Sequence, residues 1–550
     1  MVSLSFHNKR VLVIDDQRPF LILLRGMMNN LGALSVVIAQ NGESAIAACR
    51  QEKFDIIICD LHLGGDKKNG YQLLEELRVR KLIKSTTVYM MVSADSERPM
   101  VLGSIERQPD DYLIKPFSQA QLSNRLLKAY QKRRTLAPIY DKIMADDYQS
   151  GIQACKNYIS TNGRHTRHCL SLLIDLLWRV ENYQEARDIL EPIHKEKPLP
   201  WSSVALAKTY LHLNLVDKAF PLAQKASQQR LYAVEGLDVL AQCYVKREQY
   251  DEALQHIKAA LNIAPFSLNR QYLGCEIARL AGDFEMAKNC CQAILEQSKK
   301  SVHRSISHLC NYIRSILDAA DRAEDKKQRN KYQQEAMLML QRNKNDELLS
   351  RVREDFDYGI FEELINARIN ILDGKMIEAK RSLNDAQYDI KQKFEDYPLS
   401  LAPDSITLMS TMGEFEDAAE LLSKLKKSEA AKDPNLQFLI QTTESRRDAV
   451  RENYNRFNKE GIEAYSEGKY QAAYAAFQQA LELAPMNTGV TLNLLQCLLK
   501  LLEKNEKSEP GLLSNCRQIY RMVDGMRLPE NHQAKLDGMK DKIKQVLERR

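Results

Sequence analysis

The chain has 550 residues, 44% of them hydrophobic and 28% charged; it is too long for one hydrophobic core and ordinary for a protein that stays in water. A net charge of +6 is small for this length and argues against sequence-independent nucleic-acid binding. The 11 cysteines include no CxxC pair, no apolar run approaches the roughly 18 residues that span a bilayer, and Met1 to Arg10 lacks a signal-peptide core; the expectation is a cytoplasmic protein with reduced thiols and no membrane contact.

The first 130 or so residues alternate strand and helix signals. Val11–Ile14 is an apolar run that ends in Asp15 and Asp16, and Pro19 to Leu31 carries helical spacing. Ser35 to Ala39 is a second strand, and Asn41 can cap a helix from Gly42 to about Gln51. Ile56, Ile57 and Ile58 form a third run that stops at the carboxylate of Asp60 and enters a glycine-containing loop. A helix over Tyr71–Arg80 follows, then a strand over Thr86–Val92 ending at Ser93, a helix near Arg98 to Glu106, and a strand over Tyr112–Ile114 ending at Lys115. Ser118 caps the last helix, from Gln119 to about Arg133. Such alternation predicts a doubly wound, five-stranded parallel α/β sheet, because crossovers between parallel strands are right-handed and usually helical.

That topology brings Asp15, Asp16, Asp60, Ser93 and Lys115 to one sheet edge, where open α/β sheets bind ligands. Taken singly, each is as readily a helix cap or a surface charge. Together, three carboxylates repel one another unless a cation neutralises them, and an oxygen-only donor set suits Mg²⁺. Lys115 and the Ser93 hydroxyl are suitable donors to a phosphoryl group carried by Asp60.

Val11–Asp16, Ile58–Asp60, Val92–Ala94 and Tyr112–Phe117 resemble the receiver domain of bacterial two-component response regulators. The resemblance covers about the first quarter of the chain and implies that Asp60 is the phosphoacceptor for a histidine kinase or phosphotransfer protein. It also implies Mg²⁺ ligation by Asp15, Asp16, Asp60 and the backbone carbonyl of His62. Ser93, Ala94 and Lys115 become phosphoryl contacts, Tyr112 the aromatic that moves inward with the Ser93 hydroxyl, and His62 and Asp95 the residues that tune dephosphorylation. The sequence departs from the family in two places. A longer loop, Leu63–Gly70, replaces the usual Met-Pro pair, and Gln17 stands where an acid often follows the Asp pair.

After Arg134 the strand signals vanish. Ala186, Ala219, Ala253 and Ala287 recur at steps of 33, 34 and 34 in a shared context, the period of tetratricopeptide repeats. The small residue lets paired helices approach closely, and Pro198 and Pro265 stop the second helix of a pair. Phe457, Gly461, Tyr470, Ala473, Phe477, Ala480 and Pro485 make the cleanest single match, while Gly374–Ala379 and Gly413–Ala418 look like degenerate members. Ala319 to Asn345 is charge-rich and reads as one long solvated helix, with a coiled coil or dimer element as the alternative. Expected divisions are a receiver over 1–133, tetratricopeptide-like repeats over 134–300, a divergent helical segment over 301–400, and repeats with C-terminal helices over 401–550.

His165, His168 and Cys169 read as polar residues of an amphipathic helix rather than metal ligands, and no Walker loop, basic helix-turn-helix or hydrolytic triad is found. The expectation is a non-enzymatic response regulator, save for phosphoryl transfer to its own Asp60, whose all-α, tetratricopeptide-like solenoid binds a protein or peptide on its concave face. A homodimer is left open, and no nucleic acid is expected. The alternatives are a phosphate sink and a constitutive scaffold that does not switch.

Overall fold

The computed structural model describes residues 6–64, 68–94, 108–229, 232–346, 349, 352, 354–428, 434–504, 510–524, 526 and 528–548. The chain divides into two compact units, Met1–Gly282 with Gln292–Ser305, and Asp283–Cys291 with Ile306–Arg550.

The first unit opens with β1 (Arg10–Ile14), α1 (Arg18–Asn30), β2 (Ser35–Ala39), α2 (Gly42–Gln51), β3 (Ile56–Asp60), α3 (Gly70–Val79), β4 (Val88–Ser93), β5 (Asp111–Ile114) and α4 (Gln119–Thr135). The helix expected near Arg98 to Glu106 lies outside the described residues. All strand pairings are parallel, in the order β2-β1-β3-β4-β5, with Val13 opposite Ile58 and Ile58 opposite Met90. The two-residue period of the strands splits their side chains between two cores. Leu12, Ile14, Ile57, Cys59, Tyr89 and Met91 pack with Ile46, Leu73 and Leu77 from α2 and α3. Val11, Val13, Ile56, Ile58, Met90 and Val92 pack with Leu21, Leu24, Leu122 and Leu126 from α1 and α4. Each fully buried aliphatic side chain contributes about 1.5–3 kcal/mol, so burial on both faces fixes the strand register. Three helix starts are set by reciprocal caps: Asn41 with Ser44, Asn69 with Gln72, and Ser118 with Gln121.

From there the unit is helical: α5 (Ala137–Met144), α6 (Tyr148–Ser160), α7 (Thr166–Arg179), α8 (Tyr183–Glu196), α9 (Pro200–His212), α10 (Val216–Ser227), α11 (Ala233–Lys246), α12 (Tyr250–Ile263) and α13 (Leu268–Leu280). The next helix, α14 (Phe284–Ser298), is shared between the units. The second unit continues with α15 (Ile306–Arg322), α16 (Lys326–Asn343), α17 (Tyr358–Leu372), α18 (Met376–Lys393), α19 (Ala402–Met412) and α20 (Phe415–Lys427). It ends with α21 (Pro434–Ser466), α22 (Tyr470–Leu483), α23 (Thr488–Lys504), α24 (Pro510–Val523), α25 (Glu530–Asp537) and α26 (Lys540–Glu548).

One local rule builds much of this region. α6, α8, α10 and α12 each begin two residues after a left-handed residue, Asp146, Glu181, Asn214 and Glu248, with φ of 59°, 57°, 59° and 58°. Glycine takes that place before α14, α18, α20 and α22, at Gly282, Gly374, Gly413 and Gly468. The turn satisfies carbonyls that the preceding helix would leave unpaired: Leu215 N–H donates to Tyr210 O at 2.8 Å, and Lys375 N–H to Asn370 O at 2.8 Å. The fourth residue of each following helix is small and buried, as at Ala186, Ala219, Ala253, Ala379, Ala418 and Ala473. These are the alanines whose spacing stands out in the sequence.

The charge-rich stretch from Ala319 to Asn345 is not one solvated helix. It breaks after Arg322, and α16 restarts at Lys326 with Asp325 as its cap, accepting from Lys327 N–H at 3.1 Å. Tyr332, Ala336 and Leu340 of α16 are buried, so an apolar stripe is hidden among the charges that dominate its composition.

Candidate functional site

Parallel strands point their carboxyl ends the same way, and the residues at those ends converge. Asp15 follows β1, Asp60 ends β3, Ser93 ends β4 and Lys115 follows β5. Asp15, Asp16 and Asp60 offer carboxylate oxygens that all lie within 4.8 Å of one another. Asp15 and Asp60 are buried, at 1% and 7% exposure, whereas Asp16 is exposed. The Lys115 ammonium lies between the two buried acids, 2.8 Å from Asp15 Oδ2 and 2.9 Å from Asp60 Oδ2. Phe20 lies under that ammonium, with Nζ 3.9 Å from the ring centroid, and packs edge-on against Phe117.

The electrostatics follow from burial. Desolvation pushes the Asp15 carboxyl above its ordinary pKa, against the pull of Lys115 and of the Gln17 N–H that donates to it at 2.8 Å. Burial alone would lower the Lys115 ammonium, but its hydrogen bonds to Asp15 and Asp60 outweigh that and hold it above its usual value. Two buried carboxylates against one ammonium, with a third carboxylate at the rim, leave excess negative charge on an oxygen-only donor set. That composition fits a hard divalent cation such as Mg²⁺.

Other expected residues sit around this cluster. Ser93 is fully buried and its carbonyl accepts from Lys115 N–H at 2.7 Å. Ala94 and His62 are exposed at the same edge, and Tyr112 is half-buried against the core of the α2–α3 face. Asp95 lies outside the described residues, as do Gly65, Asp66 and Lys67 of the long loop.

Two contributors are not evident from the sequence. Lys68 is only 15% exposed at its side chain and pairs with Glu43 and, at 3.1 Å, with Glu76, so this end of the loop is pinned to α2 and α3 rather than solvated. Gly70 starts α3 directly under Asp60, and its carbonyl accepts from the Tyr89 hydroxyl at 2.9 Å. The Asn69–Gln72 spacing of a helix cap is the signal that locates this junction.

The region chosen against as a metal site is also resolved. His168 Nε2 lies 2.9 Å from the Tyr140 hydroxyl, and Cys169 Sγ faces the Cys155 carbonyl at 3.6 Å. Among the described residues, Asp15, Asp16 and Asp60 are the single group of three or more potential ligands brought together.

Residues 11–127 match the family model of the response regulator receiver domain. These residues form a receiver domain. The alkaline phosphatase synthesis transcriptional regulatory protein PhoP of Bacillus subtilis is 28% identical over 206 residues, which cover 33% of this chain and 82% of PhoP. Chemotaxis protein CheY-3 of Vibrio cholerae is 24% identical over 132 residues, 24% of this chain and 99% of its own. Among solved structures, the chemotaxis response regulator CheY4 of Vibrio cholerae aligns with 22% of this chain and 98% of its own, at 20% identity and a TM-score of 0.21. The receiver match leaves the helical remainder unassigned. No helix among the described residues is long and apolar enough to cross a membrane.

Proposed function

We propose that this chain is a two-component response regulator in which Asp60 accepts a phosphoryl group from a histidine kinase or phosphotransfer protein, and in which the helical part delivers the signal by binding protein. The observation that carries the reading is the Lys115 ammonium held 2.8 Å from Asp15 and 2.9 Å from Asp60, at the ends of three different strands. Asp60 is the nucleophile: its oxygen bonds to phosphorus while the donor's P–N bond breaks and the electron pair stays on the donor imidazole. Lys115 balances charge on the transferred group, and the Ser93 hydroxyl, Ala94 and Tyr112 respond to its arrival. Asp15, Asp16, Asp60 and the His62 carbonyl would hold Mg²⁺, which would supply charge neutralisation for the phosphoryl oxygens. His62 and Asp95 tune how long the acyl phosphate lasts.

A route outward from Asp60 supports a switch. α3 starts against the Asp60 carbonyl, and two of its side chains engage residues far along the chain. Gln72 Nε2 donates to Gln297 O at 3.1 Å, and Glu75 Oε1 lies 2.8 Å from His303 Nε2. Gln297 in turn donates to Pro265 O at 2.9 Å, between α12 and α13. The receiver extends over 1–133 in this reading, with the tetratricopeptide-like repeats of 134–300 and 401–550 and the divergent segment of 301–400 as its output. Phosphorylation shifts the population of the α3 contacts and with it the affinity of the helical part for its partner.

The test is affinity capture from lysate with wild-type protein, with and without beryllofluoride and Mg²⁺, beside Asp60→Asn. Partners that change with beryllofluoride in wild type and not in Asp60→Asn support the reading. Identical captures in all arms overturn it.

A further inference from the structure

A groove of about 1020 Å³ runs along α16 and is closed on one side by the turn between α17 and α18. One stripe of its lining, Lys326, Arg329, Gln333, Met337 and Gln341, recurs at helical spacing over sixteen residues, roughly 22 Å at the α-helical rise. An extended peptide of about seven residues spans that length.

The chemistry changes along it. At the α16 N-terminal end stand Lys326, Arg329 and, from the opposing turn, Lys375. Asp373 is the one carboxylate among the lining residues, and it is already engaged by Gln333 Nε2 at 3.0 Å and Lys375 Nζ at 3.2 Å. Neither Lys326 nor Arg329 forms an ion pair with a described carboxylate; Arg329 spends one donor on Ala323 O at 3.2 Å and keeps a buried Nε with no partner. Across the whole of α16 the charges are five cations against Glu335, and Glu335 is taken up by Lys288 and Tyr312. Cations in the first turn of a helix oppose its dipole, so local helix stability does not account for them. At the other end Met337 and Leu338 stand 37% and 50% exposed, a pair of large apolar side chains left partly open to solvent.

We propose that this groove is a docking site for an acidic peptide segment of a partner protein, with its carboxylates at Lys326 and Arg329 and an apolar side chain on Met337 and Leu338. The proposal rests on the protein-binding reading of the helical part, and places the recognition chemistry in the divergent segment rather than in the helix pairs with the clearest repeat. The Lys326 and Arg329 charges supply orientation and on-rate, while the buried apolar side chain of the peptide supplies most of the affinity.

The probe is a fluorescein-labelled octapeptide with three glutamates followed by two leucines, titrated by anisotropy against the full chain. Its comparators are the same peptide with glutamine for glutamate, and one with serine for leucine. Wild type binds the first saturably and the other two more weakly. Lys326→Glu, at an exposed position, weakens the acidic probe roughly tenfold, because one attraction is lost and one repulsion gained, and leaves the glutamine probe unchanged. Met337→Ser weakens all leucine-bearing probes alike. Circular dichroism melts matching wild type show that both variants are folded. Asp60→Asn binds the probe like unphosphorylated wild type, so loss of switching and loss of the groove are read separately. No saturable binding by wild type, equal binding by Lys326→Glu, or tighter binding of a single-stranded oligonucleotide that Lys326→Glu abolishes would overturn the proposal. Self-association that blocks the probe and disappears in Met337→Ser would overturn it too, by making a second copy the occupant.

Discussion

A Cβ placed on Gly70 would lie 2.6 Å from the carbonyl oxygen of Asp60. It would meet Met91 Sδ at the same distance, so both a backbone atom and a core side chain stand in its way. The start of α3 is therefore seated against the end of β3, with Gly70 N–H donating to Leu61 O at 2.9 Å.

Gly70→Ala forces that seat apart. We expect a loss of about 1–3 kcal/mol in stability, the usual cost of overpacking, together with slower phosphoryl labelling at Asp60. Thermal unfolding and acetyl phosphate labelling check the two effects. Gly26→Ala is the control, because a Cβ there has nothing within 4 Å.

In the second unit, Asp404 is 1% exposed and holds two guanidinium groups. Arg314 Nη2 lies 2.7 Å from Oδ2 and Arg368 Nη1 3.3 Å from Oδ1, while Arg368 also reaches Asp318 at 2.8 Å. Asp404→Ala takes the carboxylate away from the buried Arg314 guanidinium, which also donates to the Asn311 side chain and the Ser400 carbonyl, and should cost about 3–5 kcal/mol. Replacing Arg314 with Met and Asp404 with Leu together should cost clearly less. Denaturant unfolding of the two variants makes the comparison.

His168 gives a pH signature. Its imidazole is pushed down to about 4, mainly by burial and next by the Lys132 charge, with the Tyr140 hydroxyl at 2.9 Å. The unfolded chain takes up this proton near pH 6.5 and the folded chain only near 4. Stability from this group is thus complete above 6.5 and lost as pH falls between those values. At pH 5 the loss is about 2 kcal/mol. Melting temperatures from pH 7 to 5 should fall more steeply in wild type than in His168→Gln.

Glu248 adopts φ 58° at the turn before α12, where four equivalent turns use glycine. A left-handed conformation costs an ordinary L-residue about 1–2 kcal/mol, part of which glycine gives back through its freer unfolded state. Glu248→Gly should raise stability by roughly 0.5–1 kcal/mol. A lower melting temperature for this variant would contradict the turn geometry.

The receiver was legible because its signals are local and mutually consistent. Runs such as Ile56–Ile58 are apolar on both faces, four of the five strands end at or beside a charged or hydroxyl residue, and Asn41 and Ser118 mark helix starts with their caps. The handedness of crossovers predicts a parallel, doubly wound sheet, while the order β2-β1-β3-β4-β5 is given by the structure. The buried alanines from 186 to 287 were visible for the same reason, since a fixed step needs no tertiary knowledge. Pairing of charges was not visible. Lys68 looks like part of a solvated loop until Glu43 and Glu76 arrive from two helices. The break at Ala323–Asp325 was masked because Lys, Arg, Glu and Gln favour helix wherever they fall, and only the Asp325 cap interrupts them. The α3 contacts at Gln297 and His303 bridge 225 and 228 residues, a separation that no periodicity encodes.

The central claim is that the Asp60 carboxylate carries phosphate. Incubation with acetyl phosphate and Mg²⁺, followed by intact-mass analysis of wild type and Asp60→Asn, tests it most directly. The account predicts one acid-stable, hydroxylamine-labile phosphoryl adduct in wild type that needs Mg²⁺ and is absent from Asp60→Asn. An adduct of equal yield in Asp60→Asn, or none in wild type, would contradict it.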